Sequence, residues 1–193
     1  MRKRHNKEDI LDSGIEVLRS KGYNKTGIDD ILRVSNIPKG SFYNYFTTKE
    51  EFGIQALNRY TEHQFNYIQK FFNNNSISPL QRLKEFYEWI IKGNLDEECK
   101  KGCLIGNISQ EMGGLSDDIS EAADTNLKKI VGLVKNCISE GQNLGEIRND
   151  YTSDELANFV HNSFYGALIR SKAGRDRAHF DIFQKVIFDY MKK

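Results

Sequence analysis

The stretch KTGIDDILRVSNIPKGSFYNYFTTKEEFGIQA, residues 25–56, decides the fold. Ile28, Ile31 and Leu32 recur at i, i+3, i+4, so the spacing predicts a helix. Thr26 or Gly27 can cap it, and Asp29 and Asp30 fall in its positive first turn. Pro38 stops it, leaving Arg33 to Ile37 for the turn, where Asn36 tolerates a left-handed backbone best among non-glycine residues. A second short helix, Lys39 to about Tyr45, then starts behind a proline whose missing N–H is no loss.

Phe42 and Phe46, four residues apart, can both turn inward in that short helix. Lys39, Ser41, Tyr43, Asn44 and Tyr45 are left for a partner, one cation and four hydrogen-bonding side chains suited to phosphates and base edges. Thr48-Lys49-Glu50-Glu51 reads as a capping box that opens a third helix with Lys49 at its N-terminus. The unit is a helix-turn-helix followed by a further helix.

Residues 26–51 resemble the DNA-binding signature of TetR-family transcriptional repressors, with the Asp-Asp-Ile, Lys-Gly-Ser, Phe-Tyr, Tyr-Phe and Lys-Glu-Glu elements in order and spacing. Ser35-Asn36 stands where the family usually has Ala-Gly, and Tyr45 where His is common. The resemblance implies that Thr26, Ser41, Tyr43, Tyr45 and Lys49 grip phosphates and that Lys39, Gly40, Tyr43 and Asn44 lie against base edges. It also implies a homodimer on a near-palindromic double-stranded operator and release by a small-molecule effector.

Charge agrees with an N-terminal nucleic-acid contact. Residues 1–60 hold 11 Lys/Arg against 8 Asp/Glu, and the remainder holds 17 against 19, so the small net charge of +1 is unevenly spread. Arg2, Lys3 and Arg4 form a basic arm, either a solvated tail or a reach toward phosphate and the minor groove. No apolar run nears the ~20 residues that span a bilayer, and no export signal opens the chain, so a cytoplasmic protein with no membrane partner is expected. Three cysteines make no disulfide framework.

The remaining pattern is helical throughout, supporting an all-α protein of about nine helices. Three segments are expected: a helix-turn-helix domain over 1–47, a connecting helix over 48–72, and a larger effector-binding and dimerisation domain over 73–193. A supporting helix over Asn6–Lys21 carries Ile10, Gly14, Val17 and Leu18 inward. The connecting helix has the stripe Phe52, Ala56, Tyr60, His63, Tyr67, Phe71. Ser78-Pro79 opens a helix to about Lys92, Gly102–Gly114 bounds a short one, Ser116-Asp117-Asp118 opens one to about Glu140, and Thr152-Ser153-Asp154-Glu155 is a second capping box. The last two helices show broad apolar faces, and Phe159, Ser163, Ala167, Phe183, Ile187 and Tyr190 are assigned to a dimer interface of four-helix-bundle type.

Gly102 to Asn107, Gly145 to Arg148 and Gly166 to Arg170 resemble a TetR subgroup that senses reactive electrophiles and unsaturated small acids. That resemblance implies a sensing role for Cys103, which Lys100, Lys101 and a helix N-terminus would favour as thiolate. The alternative is that Cys103 is a small buried hydrophobe and the effector binds without cysteine chemistry. Cys99 and Cys137 read as structural. His63, Phe86, Trp89 and Tyr165 are candidate lining for an effector pocket, although aromatics at helical spacing are usually core. Cys99 and Cys103 have no nearby histidine to complete a metal set, and no nucleotide loop, nucleophile elbow or His-Glu-x-x-His is present, so neither metal, cofactor nor catalysis is expected. A helical enzyme, an activator and a non-specific DNA binder are the readings left beside the repressor.

Overall fold

The computed structural model describes residues 6–193; the basic arm Arg2–Arg4 lies outside the described residues. Among them are nine helices and no strand: α1 Lys7–Lys21, α2 Ile28–Ser35, α3 Lys39–Tyr43, α4 Lys49–Phe72, α5 Pro79–Asp96, α6 Leu104–Met112, α7 Asp117–Asn143, α8 Ser153–Gly174 and α9 Ala178–Met191.

Local chemistry sets most of these boundaries. The Asn6 side chain accepts from Asp9 N–H at 2.8 Å to start α1, and Ser78 Oγ accepts from Gln81 N–H, with Pro79 in the first turn of α5. Asn36 ends α2 in the left-handed region at φ 52° and ψ 45°, as its side chain allows. Thr152 and Glu155 bond reciprocally at the start of α8. The box before α4 is offset by one residue. Thr48 Oγ1 accepts from Glu51 N–H at 3.0 Å, but the Glu51 carboxylate returns to the N–H and hydroxyl of Thr47.

Packing divides the chain into two compact units rather than three consecutive segments. One holds the described residues up to Gln64 together with Cys103–Leu127, and the other holds Phe65–Gly102 with Lys128–Lys193. α6 therefore packs with the helix-turn-helix, and α4 and α7 each belong partly to both units. The expected stripe on α4 holds at Phe52 and Ala56, then drifts. Leu57, Thr61, Ile68 and Phe72 are buried, whereas His63 and Tyr67 are exposed. Residues taken four apart slip around a helix of 3.6 residues per turn.

In the first unit, Phe42, Phe46 and Phe52 are fully buried with ring centroids 5.1–5.8 Å apart, and hold the five-residue α3 in place. A Cβ on Gly14 of α1 would stand 2.3 Å from Phe52, so only glycine lets α1 close on that ring. Arg59 of α4 grips both oxygens of Asp12 of α1 through Nε and Nη2, at 2.5 and 2.6 Å, which holds the Asp12 carboxyl below the usual range. In the second unit, buried Arg82 binds both Glu140 oxygens and the carbonyls of Phe72 and Ile77. The cation is thus fully paired where an unpaired one would be costly.

Candidate nucleic-acid interface

The inward pair Phe42 and Phe46 leaves the other side of the second helix uncovered. Lys39, Gly40, Tyr43, Asn44 and Tyr45 are all exposed, with Tyr43 at 47% and Tyr45 at 37%, while Ser41 is half-buried. Asn44 caps α3 in the helical region, and Tyr45 follows it into the turn. A large aromatic side chain gains by burial, so two exposed tyrosines beside a lysine and an asparagine form a surface shaped for an external partner. Gly40 strengthens the point. A Cβ there would meet nothing within 4 Å, so no contact within the chain calls for glycine at that position.

Two residues assigned to phosphate are placed otherwise. Thr26 is fully buried, and its hydroxyl donates to Gly22 carbonyl oxygen at 2.6 Å, so the side chain closes the lead into α2 and has no surface to offer. Lys49 starts α4 as expected, but its ammonium donates to Tyr23 carbonyl oxygen at 2.7 Å and lies 4.2 Å from the centroid of the Tyr23 ring. Burial lowers its pKa, against the opposing pull of Glu111. Lys49 thus ties α4 to the α1–α2 turn. The exposed set supplied by α3 and its exit is the coherent part of the predicted interface.

The residues assigned to an effector pocket are divided between the two units. His63 is exposed and belongs to the first unit; Trp89 is half-buried and stacks on Tyr67 and Phe71 in the second. Phe86 is buried against Tyr87 and Phe72, and Tyr165 meets the ring of His161 edge-on at 5.2 Å. Missed in the sequence is the pair at that core's centre. The Tyr87 hydroxyl lies 3.4 Å from His161 Nδ1, and His161 Nε2 is buried without a partner. Burial pulls the imidazole down to about 4, so it is neutral at ordinary pH. Phe164, Phe183 and Phe188 complete the surround of Tyr87.

Cys103 occupies the N-cap position of α6 in the first unit, half-buried, and shares a hydrogen bond with the Tyr60 hydroxyl of α4. Burial, then the Cys103 charge, raises the Tyr60 pKa. The other two thiols are inert by environment: burial pushes Cys137 up to about 12 and raises Cys99 as well.

Of the residues assigned to a dimer, Ala167, Phe183 and Ile187 are buried within their own chain and leave little surface for another. Ser163 is half-buried, its hydroxyl returned to Phe159 carbonyl oxygen. Phe159 and Tyr190 remain exposed, their rings 5.8 Å apart, and Ile169, Ile182 and Val186 join them as uncovered apolar groups on α8 and α9. Among the described residues no helix is long and apolar enough to cross a membrane.

Two family descriptions match this chain: "Bacterial regulatory proteins, tetR family" over residues 10–54 and "Tetracyclin repressor-like, C-terminal domain" over residues 79–187. The HTH-type transcriptional repressor DhaR of Mycobacterium sp. strain GP1 is 36% identical over 95% of this chain and 90% of its own length. The transcriptional regulator AcuR of Cereibacter sphaeroides is 34% identical over 86% and 75%. A crystal structure of a TetR regulatory protein from Rhodobacter sphaeroides superposes with a TM-score of 0.89 at 31% identity, covering 95% of this chain and 97% of that one.

Proposed function

The chain belongs to the TetR family of DNA-binding transcriptional regulators and is not an enzyme, and from that premise we propose that it acts as a homodimeric repressor released from a near-palindromic operator by a small molecule. The observation that carries the DNA contact is the uncovered set Lys39, Gly40, Tyr43, Asn44 and Tyr45 on a helix anchored from behind by Phe42 and Phe46. Tyr43 and Asn44 can accept from and donate to base edges, Gly40 admits close approach, and Lys39 and Tyr45 suit phosphates. The uncovered apolar groups of α8 and α9 support the dimer, since two such helix pairs make a four-helix bundle. Twofold symmetry would then set the two recognition helices roughly 34–36 Å apart on successive major grooves.

Release is an equilibrium between two arrangements. An effector shifts it only by its difference in affinity for the two, typically ~1–3 kcal/mol of coupling. α4 is the natural carrier, because its first part packs with the helix-turn-helix and its last part with the second unit. The aromatic core around Tyr87 and His161 supports a bound small molecule, which would meet the unpartnered His161 Nε2. Cys103 supports a second route. Its thiolate sulfur would add to the β-carbon of an unsaturated carbonyl, forming a C–S bond, with the resulting enolate taking a proton from water. The adduct would disturb the hydrogen bond to Tyr60 on α4. Mass spectrometry should find the label on Cys103 alone of the three cysteines, and a Cys103→Ser variant that still releases DNA on treatment would dispose of this route.

Selection of duplexes from a random pool by the full-length protein tests the central reading. A near-palindromic site should emerge, and Tyr43→Ala should bind it about 10- to 100-fold more weakly, at ~1–3 kcal/mol per lost base contact, with an unchanged melting temperature. Equal retention of every sequence would sink the reading.

A further inference from the structure

The last turn of α6 reaches into the turn between α1 and α2 through one carboxylate. Glu111 Oε1 accepts from Tyr23 N–H at 3.1 Å and Oε2 from Asn24 N–H at 2.7 Å, across 88 and 87 residues of sequence. Both bonds are charge-assisted, the stronger class. The approach is close enough to dictate the residue before it. Gly22 has φ +85°, and a Cβ there would lie 2.6 Å from Glu111 Oε1.

Tyr23 is consequently held on both sides of its backbone. While Glu111 takes its N–H, its carbonyl oxygen accepts from Lys49 Nζ at the start of α4 at 2.7 Å and from Thr26 N–H, just before α2, at 3.2 Å. Thr26 is itself fastened to Gly22 carbonyl oxygen. Beyond α6, Ser116 Oγ hydrogen-bonds the Glu50 carboxylate, next to Lys49. Four elements of the first unit, α1, α2, α4 and α6, therefore converge on the six-residue turn 22–27. Removing Glu111 would leave two N–H groups to water and Lys49 without its nearby countercharge.

We propose that Glu111 is a positioning residue for DNA recognition, whose carboxylate fixes the α1–α2 turn, and through Tyr23 the starts of α2 and α4, at the angle that presents α3 to the duplex. The proposal rests on the DNA-binding reading above. An anionic side chain repels the phosphate backbone, so Glu111 acts through the turn and not by touching DNA. Any displacement of α6 is passed directly to the helix-turn-helix through these two bonds.

The test uses the full-length protein, its Glu111→Gln and Glu111→Ala variants, and the duplex selected by the wild type from the random pool. Affinity is measured across a range of salt, with the melting temperature and the amide exchange of Tyr23 and Asn24 followed in parallel. Glu111→Ala should bind about tenfold more weakly, with the wild-type slope of log K against log salt, because no phosphate contact is lost. Its two amides should exchange faster, and Glu111→Gln, which keeps an acceptor, should fall between. Wild-type affinity in the Ala variant overturns the proposal, as does a slope changed by about 0.9, the mark of one phosphate contact. A loss that merely tracks the unfolded fraction overturns it too. If the wild type selects no sequence, the DNA-binding reading itself fails, which is a different result from selection followed by an unaffected variant.

Discussion

Each unit is built around an aromatic cluster, and the two clusters differ in what they enclose. Phe42, Phe46 and Phe52 in the first unit are wholly hydrocarbon and fully buried. Phe164, Phe183 and Phe188 in the second have ring centroids 5.1–6.2 Å from that of Tyr87, and this cluster includes a hydroxyl and an imidazole whose Nε2 has no partner. Outside the clusters both units hold buried unpartnered groups, Ser35 Oγ and Asn126 Oδ1 in the first and Asn94 Oδ1 and Ser171 Oγ in the second, so the contrast lies in the clusters themselves. A dry cluster needs only shape, so it suits a support that must hold α3 still. A cluster with unmet hydrogen-bonding demand has a reason to exchange one arrangement for another when a polar ligand arrives.

The sharpest break of this contrast is truncation of the dry cluster. Phe46→Ala should cost about 3–5 kcal/mol, the usual loss for emptying a buried aromatic site. Chemical denaturation would measure it, and DNA binding should fail together with the fold of the N-terminal helices. Loss of DNA binding at full stability would mean that Phe46 is a contact and not a support.

A smaller effect probes the second cluster by pH. The folded imidazole of His161 titrates near 4 against an ordinary 6.5, so the unfolded chain binds the extra proton between those values. Stability is therefore complete above pH 6.5 and falls as the pH drops toward 4, by about 1.4 kcal/mol for each unit within that window. Carboxylates titrate at its acid end, so the comparison is with His161→Phe. Between pH 6.5 and 5 the wild type should lose about 1.5 kcal/mol more than the variant. Parallel curves would show that His161 is not buried as a neutral group.

Sequence pattern reached the first cluster far better than the second. Caps at Ser78 and Thr152, the left-handed Asn36 and the inward pair Phe42 and Phe46 all depend on chemistry within a few residues, and all stand where local rules put them. Thr26 and Lys49 were misplaced because their hydrogen-bond partners, Gly22 and Tyr23 carbonyl oxygens, become available only when the α1–α2 turn closes. Glu111 could not be found at all from spacing, since its two donors are nearly ninety residues away. On α8 it was Ala167 that the pattern assigned to a partner but that turns inward, with Ala157, His161, Phe164 and Ser171, into the chain's own core. Phe159 is exposed, beside Tyr190.

The finest test of the contrast replaces a single hydroxyl in each unit. Ser171 is fully buried with Oγ unpartnered, so Ser171→Ala removes a group that has given up its hydration for nothing and should stabilise the protein by about 1 kcal/mol. Thr61 is buried too, but its hydroxyl donates to Leu57 carbonyl oxygen at 2.9 Å. The Thr61→Ala change therefore loses a made hydrogen bond and a buried methyl together, and should destabilise by about 1–2 kcal/mol. Opposite signs in thermal melts are the expected result. Two losses of the same sign would show that the Ser171 hydroxyl is satisfied in solution, as that of Thr61 is in the fold.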